Sequence, residues 1–144
     1  MELIQQDPAV TDGHIALVRA YGDGHIRQDS LDYFSVNRQP AVVLSVHHNG
    51  KFIGVSLAEV FNRGVPYSIT VVDYAYRNMG IGTALVRAKK IALCELGVFP
   101  VTKVAETNIP SLRMCQKVYN CKRKLGNNIL QFYDSPWWKR LWKR

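Results

Sequence analysis

The sequence predicts a mixed α/β domain in which four helices accompany a central, mixed and mostly antiparallel sheet of about six to seven strands. Two observations lead to this prediction. Residues 41–73 contain three β-type segments separated by short turns. From Gly82 the apolar residues recur with the period of a helix, and further strand-like segments follow. Because 144 residues show no linker-like stretch, a single domain over residues 1–144 is expected.

The N-terminal part is expected to form one strand and two helices. The first six residues suit a strand. Asp7-Pro8 then predicts a helix start, because a capping side chain is followed by proline at the first helical position. This helix is expected to end at Tyr21-Gly22-Asp23-Gly24. A second helix is expected from Asp29 or Ser30 until just before Arg38.

Two turns divide the middle of the chain into three strands. His48-Asn49-Gly50-Lys51 is typical of a hairpin turn between strands at residues 41–47 and 52–61. Asn62-Arg63-Gly64 indicates a second turn, which comes before a strand at residues 67–73. Antiparallel strands are therefore expected ahead of the remaining helices.

The C-terminal half alternates between the two periods. A helix is expected over residues 82–97, with Lys89 and its charged neighbours away from the apolar face. A strand at residues 101–107 and a helix at residues 111–119 follow. A hairpin around Asn127-Asn128 completes the sheet.

Charge is unevenly distributed along the chain. Residues 1–112 carry ten basic and ten acidic side chains, whereas residues 113–144 carry nine basic and one acidic, which accounts for the net charge of +8. This region is either a solvated basic surface or a site that attracts an anion, such as cofactor phosphates, nucleic acid or an acidic protein. Its end, residues 135–144, interleaves tryptophans with cations. That pattern suits packing over the sheet, a nucleic acid, an anionic membrane surface or a dimer contact.

Several classes of protein are excluded by the sequence. The three cysteines, at positions 94, 115 and 121, have no CxxC spacing, which argues against a disulfide framework and against a zinc site. No apolar run approaches the roughly 18 residues that span a bilayer. The first residues lack the basic and apolar regions of a secretory signal. We therefore expect a cytoplasmic monomer or homodimer without a metal site.

The segment Arg77-Asn78-Met79-Gly80-Ile81-Gly82 joins a strand to a helix and is the most informative part of the sequence. Its glycines allow backbone N–H groups to approach a ligand, and the helix start adds unpaired donors and a positive dipole end, which suits a pyrophosphate. The segment lacks the third glycine of a dinucleotide-binding loop and the Gly-Lys-Ser/Thr ending of a P-loop. A glycine-rich turn without a ligand remains the alternative.

Two motifs together resemble a known family. The loop resembles the Arg/Gln-x-x-Gly-x-Gly/Ala signature of the GNAT superfamily of N-acetyltransferases. Ala105-Glu106-Thr107-Asn108-Ile109-Pro110-Ser111 resembles that family's strand–Asn–x–x–Ser/Ala–helix segment. The separation of the motifs and the order of elements also fit, so the resemblance covers essentially the whole chain.

The resemblance implies acetyl-CoA (acetyl-coenzyme A) as the cofactor. Backbone amides of residues 79–83 would hold its pyrophosphate, with Arg77 beside the loop. The backbone of Thr70 and Val72 would pair with the pantetheine arm and polarise the thioester carbonyl. Asn108 and Ser111 would contact the pantetheine or adenosine part, cap a helix, or do both. The expected cofactor-binding residues are Thr70, Val71, Val72, Arg77, Asn78, Met79, Gly80, Ile81, Gly82, Thr83, Asn108 and Ser111.

The expected catalytic residues depart from the family's pattern. Many members place a glutamate near the start of the fourth strand, but residues 65–68 contain no carboxylate, and Glu59 is the nearest that could act through water. The position of the family's proton-donating tyrosine holds Cys115, and Tyr119 lies one helical turn later. Cys115 and Tyr119 are alternative donors to the departing thiolate. Each of these three residues also has a purely structural interpretation.

Three hypotheses for the function follow. The first is an N-acetyltransferase that moves an acetyl group from acetyl-CoA directly to a primary amine of a protein lysine, an N-terminus or a small molecule. The second is a catalytically weak acyl-CoA-binding regulatory module, because the usual glutamate and tyrosine are absent. The third is a nucleic-acid-associated protein that uses its basic C-terminal region.

Overall fold

The computed structural model describes residues 3–22, 24–62 and 64–135, in which seven strands, four α-helices and a three-residue 3₁₀ helix (Tyr74–Tyr76) are found. No helix in these ranges is both long and apolar enough to cross a membrane. The elements, in chain order, are β1 (Ile4–Gln6), α1 (Asp12–Tyr21), α2 (Gln28–Val36), β2 (Val42–His48), β3 (Lys51–Phe61), β4 (Gly64–Val72), α3 (Ile81–Glu95), β5 (Val101–Ala105), α4 (Ile109–Val118), β6 (Cys121–Leu125) and β7 (Ile129–Tyr133). The predicted fold class is confirmed.

The strands form two antiparallel sheets, ordered β1-β2-β3-β4 and β5-β7-β6. The predicted turns set the register. Asn49 and Gly50, with φ angles of 51° and 76°, close the hairpin between β2 and β3. Asn127 and Asn128, with φ angles of 63° and 57°, lie in the turn between β6 and β7. The division into two sheets, which leaves β4 and β5 as edge strands, was not predicted.

Helices cover both faces of the four-stranded sheet, because its buried residues alternate between two apolar clusters. One cluster joins the sheet to α1 and α2, and the other joins it to α3. The first contains Ile15, Val18, Phe34, Val43, Val55, Leu57, Ile69 and Val71. The second contains Val42, Leu44, Val46, Val72, Leu85 and Leu93. A smaller cluster beneath α4 includes Val86, Val104, Cys115, Tyr119 and Phe132.

Helix α1 begins at Asp12, so the predicted start at Asp7-Pro8 is wrong. The Asp7 carboxylate has tertiary partners instead of a helix to cap. It accepts a hydrogen bond from Ser45 Oγ at 2.6 Å and lies 2.7 Å from His14 Nε2. Thr11 precedes the helix, and its backbone N–H donates to His14 Nδ1 at 2.9 Å. Contacts between residues distant in the sequence therefore determine where this helix begins, and local residue preferences alone indicated the wrong position.

Candidate functional site

A cleft of about 500 Å³ opens beside β4 and is closed by the loop before α3, the start of α4 and the end of α1. Its lining includes ten of the twelve predicted cofactor-binding residues. The other two, Met79 and Ile81, belong to the loop but are not among the lining residues, and 65% of Met79 is exposed. The structure thus brings together residues from two segments that the sequence analysis linked only by resemblance.

Strand β4 presents its free edge to this cleft. The N–H of Asp73 donates to the carbonyl of Ile53 at 2.8 Å, which fixes the side of the backbone that faces β3. Because successive residues of an antiparallel strand turn their N–H and C=O groups to opposite sides, Val71 also faces β3, whereas Thr70 and Val72 face outward. The backbone groups of Thr70 and the N–H of Val72 are therefore available to a ligand, whereas the carbonyl of Val72 accepts a hydrogen bond from Arg77.

The loop before α3 has the backbone of an anion-binding turn. Gly80 directly precedes the helix with a φ of 84°, and Asn78 has a φ of 64°. Both lie in the left-handed region, which glycine adopts freely and asparagine tolerates. The first turn of α3 leaves backbone N–H groups without partners inside the helix, and Gly82 and Thr83 of this turn line the cleft.

Gly82 also permits close packing of two helices. A Cβ atom at this position would clash with Sδ of Met114 on α4 and would lie 3.4 Å from Cγ2 of Val72. The missing side chain therefore leaves room for Met114 of α4 beside the first turn of α3.

Arg77 holds the loop in place. Its Nε donates to the carbonyl of Val72 at 3.0 Å, and one terminal nitrogen donates to the carbonyl of Tyr21 at 2.9 Å. The guanidinium carbon lies 4.3 Å from the ring centre of Tyr74. Arg77 therefore connects β4, the end of α1 and the loop, while its positive charge remains at the wall of the cleft.

The start of α4 supplies the second half of the site. Oδ1 of Asn108 accepts from the backbone N–H of Ser111 at 3.4 Å, and the carbonyl of Asn108 accepts from Leu112 at 3.0 Å. Asn108 therefore caps the helix, and both Asn108 and Ser111 line the cleft. Asn108 and Ser111 thus take part in the helix cap and also line the cleft.

The cleft has a positive electrostatic character. Among its described lining residues, Arg77, Arg113 and Lys117 are cationic and none is acidic. Two helix N-termini add positive dipole ends. Arg113 and Lys117 lie one helical turn apart on α4 and were not predicted individually. The sequence held a signal for them, since its surplus of basic residues begins at position 113.

A family comparison agrees with this geometry. Residues 11–119 match the model of the acetyltransferase (GNAT) family. The chain belongs to that family. The matched range includes both the loop at residues 77–82 and the segment at residues 105–111, so the resemblance proposed from these motifs is confirmed.

Solved structures share the GNAT fold of this chain. A Klebsiella pneumoniae protein described as an acyl-CoA N-acyltransferase is 12% identical, with a TM-score of 0.71 over 93% of this chain and 97% of that one. A Bacillus subtilis acetyltransferase in complex with CoA is 14% identical, with a TM-score of 0.68 over 94% and 99% of the two chains. The ribosomal-protein-S18-alanine N-acetyltransferase of Escherichia coli is 16% identical, with a TM-score of 0.63 over 94% and 96%. No curated protein sequence matches the chain.

In this GNAT chain, Cys115 and Tyr119 lie in the buried cluster beneath α4. Burial raises the pKa of the Cys115 thiol to about 11. Burial also raises the pKa of Tyr119 to about 12, and its hydroxyl lies 3.1 Å from Oγ1 of Thr102. Neither residue is among those lining the cleft. Their roles as proton donors remain predictions.

Glu59 lies on β3 with hydrogen bonds to both of its carboxylate oxygens. Oε2 accepts from the Tyr33 hydroxyl at 2.7 Å, and Oε1 accepts from the backbone N–H groups of Ala41 at 3.2 Å and Val60 at 2.9 Å. Burial raises the pKa of Tyr33 to about 12, and the hydrogen-bonded carboxylate of Glu59 contributes in the same direction. Glu59 is not a lining residue, and this arrangement favours its structural interpretation. Its role as the base stays a prediction, which Glu59→Gln can test.

Lys89 is a buried ionisable residue that the sequence analysis missed. It was expected away from the apolar face of its helix, yet only 2% of it is exposed, so that expectation is wrong. Its ammonium donates to Oγ of Ser68 at 2.6 Å. Burial lowers the pKa of Lys89 to about 8. A signal was available in the spacing, because Leu85, Lys89 and Leu93 recur every four residues and therefore lie on one side of the helix.

Two further predictions concern metals and the C-terminal end. The described residues contain no group of three or more His, Cys, Asp or Glu side chains placed to hold a metal ion. The aromatic and basic segment predicted at residues 135–144 lies, beyond Ser135, outside the described residues.

Proposed function

We propose that this protein transfers an acetyl group from acetyl-CoA directly to a primary amine of an acceptor. The observation that carries this proposal is the meeting, in one cleft, of the outward-facing backbone of β4 with two helix N-termini and three cations. Such a cleft suits a ligand that has peptide-like amides at one end and phosphates at the other. Coenzyme A has both.

The residues divide the binding between them. Backbone N–H groups of the loop and of the first turn of α3, with Gly82 and Thr83, would face the pyrophosphate. Arg113 and Lys117 would face the phosphates from α4. The outward backbone groups of Thr70 would pair with the pantetheine amides as an added strand does. Bound acetyl-CoA supplies an activated thioester, whose carbonyl oxygen a β4 backbone N–H would stabilise as charge develops.

The acceptor amine must lose its charge before it can attack. Neutralising an ordinary lysine ammonium at pH 7 costs roughly 4–5 kcal/mol, so a base or a desolvated site would help the amine to lose its proton. The cleft has no acidic residue among its described lining, which does not favour a polycationic acceptor. An anionic small molecule or a protein is the acceptor class that we propose to test first.

The decisive experiment follows release of free thiol from acetyl-CoA in the presence of different amines. The panel should contain peptides with free N-termini, peptides with internal lysines, a polyamine and anionic small amines. At least one acceptor is expected to raise the rate well above that of acetyl-CoA alone. Tight coenzyme A binding without any such acceptor would instead support the alternative of a catalytically weak acyl-CoA-binding module, which the absence of a carboxylate at residues 65–68 and the cysteine at position 115 favour.

Gly80→Ala is expected to weaken coenzyme A binding about tenfold, because a left-handed φ of 84° costs an alanine roughly 1–2 kcal/mol and relaxing this strain moves the loop amides. Gly97→Ala is a matched control, since Gly97 also has a positive φ, 76°, and open space around its Cα, but ends α3 away from the cleft. Calorimetric titration and thermal melting of both variants test this. Similar losses of stability with equal affinities would contradict it.

A further inference from the structure

Lys89 carries a buried charge without a counter-ion. Among the described residues, Oγ of Ser68 is the only hydrogen-bond partner of its ammonium, and no carboxylate pairs with it. An ammonium removed from water loses far more solvation energy than one neutral hydrogen bond returns. A group that destabilises the fold in this way commonly belongs to a functional site.

Like Cys115 and Tyr119, Lys89 is not among the residues that line the cleft, but its ammonium contacts Ser68 on β4, the strand whose next outward-facing residue, Thr70, does line it. Ser68 and Thr70 are two residues apart on β4, so their side chains point to the same face, and Thr70 lines the cleft. Oγ1 of Thr70 lies 2.8 Å from Oγ of Ser56, which continues the row of hydroxyl groups. On α3, Lys89 comes seven residues after the cleft-lining Gly82, which places both on one side of the helix. Strand β4 and helix α3 therefore both line the cleft, and both also contribute to the surroundings of the Lys89 ammonium.

Helix α4 also has residues both in the cleft lining and near Lys89. Cys115 follows the cleft-lining Met114 and comes one turn after the cleft-lining Ser111. The thiol of Cys115 and the ammonium of Lys89 interact electrostatically. Among the described residues, Cys115 is the titratable group that interacts with Lys89, and β4 contributes the hydroxyl of Ser68. The position that resembles the family's tyrosine thus contains a smaller thiol with an ammonium beside it.

We propose that Lys89 is the proton donor to the departing thiolate of coenzyme A, an inference that rests on the acetyl transfer proposed above. The acceptor nitrogen forms a bond to the thioester carbonyl carbon, and the carbon–sulfur bond breaks with its electron pair remaining on sulfur. Nζ of Lys89 gives a proton to this sulfur. The proton lost by the acceptor amine passes to solvent, from which the Lys89 amine is protonated again before the next turnover.

Acidity favours Lys89 over the two donors named from the sequence. A proton donor works best when its pKa is close to the working pH and to that of the group it protonates. The pKa of Lys89, about 8, is close to the value of about 8.5 typical of a thiol. Burial raises the pKa of Cys115 to about 11 and that of Tyr119 to about 12. Both are therefore weaker acids than Lys89.

The test compares turnover and binding in Lys89→Met, Lys89→Arg, Cys115→Ala and Tyr119→Phe. Lys89→Met is expected to lower kcat about 100-fold, while its affinity for coenzyme A stays within about threefold of the wild type. Lys89→Arg keeps the charge but is too weak an acid to donate, so it is expected to lose kcat similarly. Cys115→Ala and Tyr119→Phe are expected to lower kcat less than Lys89→Met does.

The pH profile distinguishes a proton donor from a structural residue. The wild-type kcat is expected to fall as the pH rises past about 8, because the ammonium is lost, and Lys89→Met is expected to lack this decrease. Unchanged kcat in Lys89→Met, or full activity in Lys89→Arg, would overturn the assignment of Lys89 as the proton donor but not the proposed acetyl transfer. If Lys89→Met does not fold, Lys89→Arg and the wild-type profile decide the question. A wild type that binds coenzyme A but releases no thiol with any acceptor would overturn the proposed function itself.

Discussion

Replacing Arg113 and Lys117 together by glutamate is expected to weaken coenzyme A binding by about 100-fold or more. Each cation is expected to make a charge-assisted hydrogen bond to a phosphate, which contributes about 1.5–3 kcal/mol. The two glutamates also bring negative charge to a cleft whose described lining has none. Since about 1.4 kcal/mol corresponds to a tenfold change in affinity, losing both contacts reaches this magnitude.

Calorimetric titration with coenzyme A measures this effect, and the affinity of the wild type should also fall as salt is added. The matched control is Lys103→Glu with Lys122→Glu, which changes the net charge equally at two exposed residues outside the cleft lining. An equal loss of affinity in both double variants would show that only overall charge matters. Unchanged affinity in the Arg113 and Lys117 variant would show that these two α4 residues do not contribute to coenzyme A binding.

Lys89→Met is expected to stabilise the protein at neutral pH by about 2 kcal/mol. Lowering the pKa of this lysine from 10.5 to about 8 corresponds to roughly 3 kcal/mol of unfavourable burial, from which the lost hydrogen bond to Ser68 subtracts about 1 kcal/mol. Methionine is of similar length and fits the apolar surroundings. A residue kept for function rather than for stability should behave in this way.

The same variant gives a pH dependence of definite sign. Below about pH 8 the lysine is protonated in both the folded and the unfolded protein, and the full penalty applies. Between about 8 and 10.5 the folded protein has already released the proton that the unfolded chain still holds, so the wild type gains stability as the pH rises. The stability difference between Lys89→Met and the wild type should therefore shrink over this range.

Urea denaturation at pH 7, 8 and 9 measures this difference. Arg87→Met is the control on the same helix, because Arg87 is exposed and its substitution should change the free energy of unfolding little at any pH. A Lys89→Met protein that is less stable than the wild type at pH 7 would show that the buried ammonium contributes to stability. That outcome would contradict the expected penalty.

Much of the fold and the shape of the loop before α3 could be predicted from local sequence. Asn-Gly and Asn-Asn pairs specify tight turns through their left-handed backbone, which needs no tertiary information. Gly80 and Gly82 likewise identify a loop whose shape depends on the absence of side chains. These features lie in consecutive residues, so the sequence displays them directly. Helix α3 begins at Ile81, within this loop, and Gly82 lines the cleft.

The features that could not be predicted depend on contacts between distant residues. Helix α1 begins at Asp12 rather than at Pro8, because the Asp7 carboxylate contacts the side chains of Ser45 and His14 instead of capping a helix. The burial of Lys89 depends on β4, which supplies Ser68 from twenty-one positions earlier in the chain. A lysine on a helix next to a second lysine resembles a solvated surface. Only the packing of α3 against the sheet reveals its burial.

The outward edge of β4 has a consequence for the protein without its ligand. An unpaired strand edge can pair with a strand of another molecule, which is a common route to aggregation. Pro66 lacks an N–H group and so limits pairing along the first half of β4, but the part around Thr70 has no such protection. A ligand that occupied this edge would act as a cap against self-association. Keeping this edge occupied by the proposed ligand would then favour solubility.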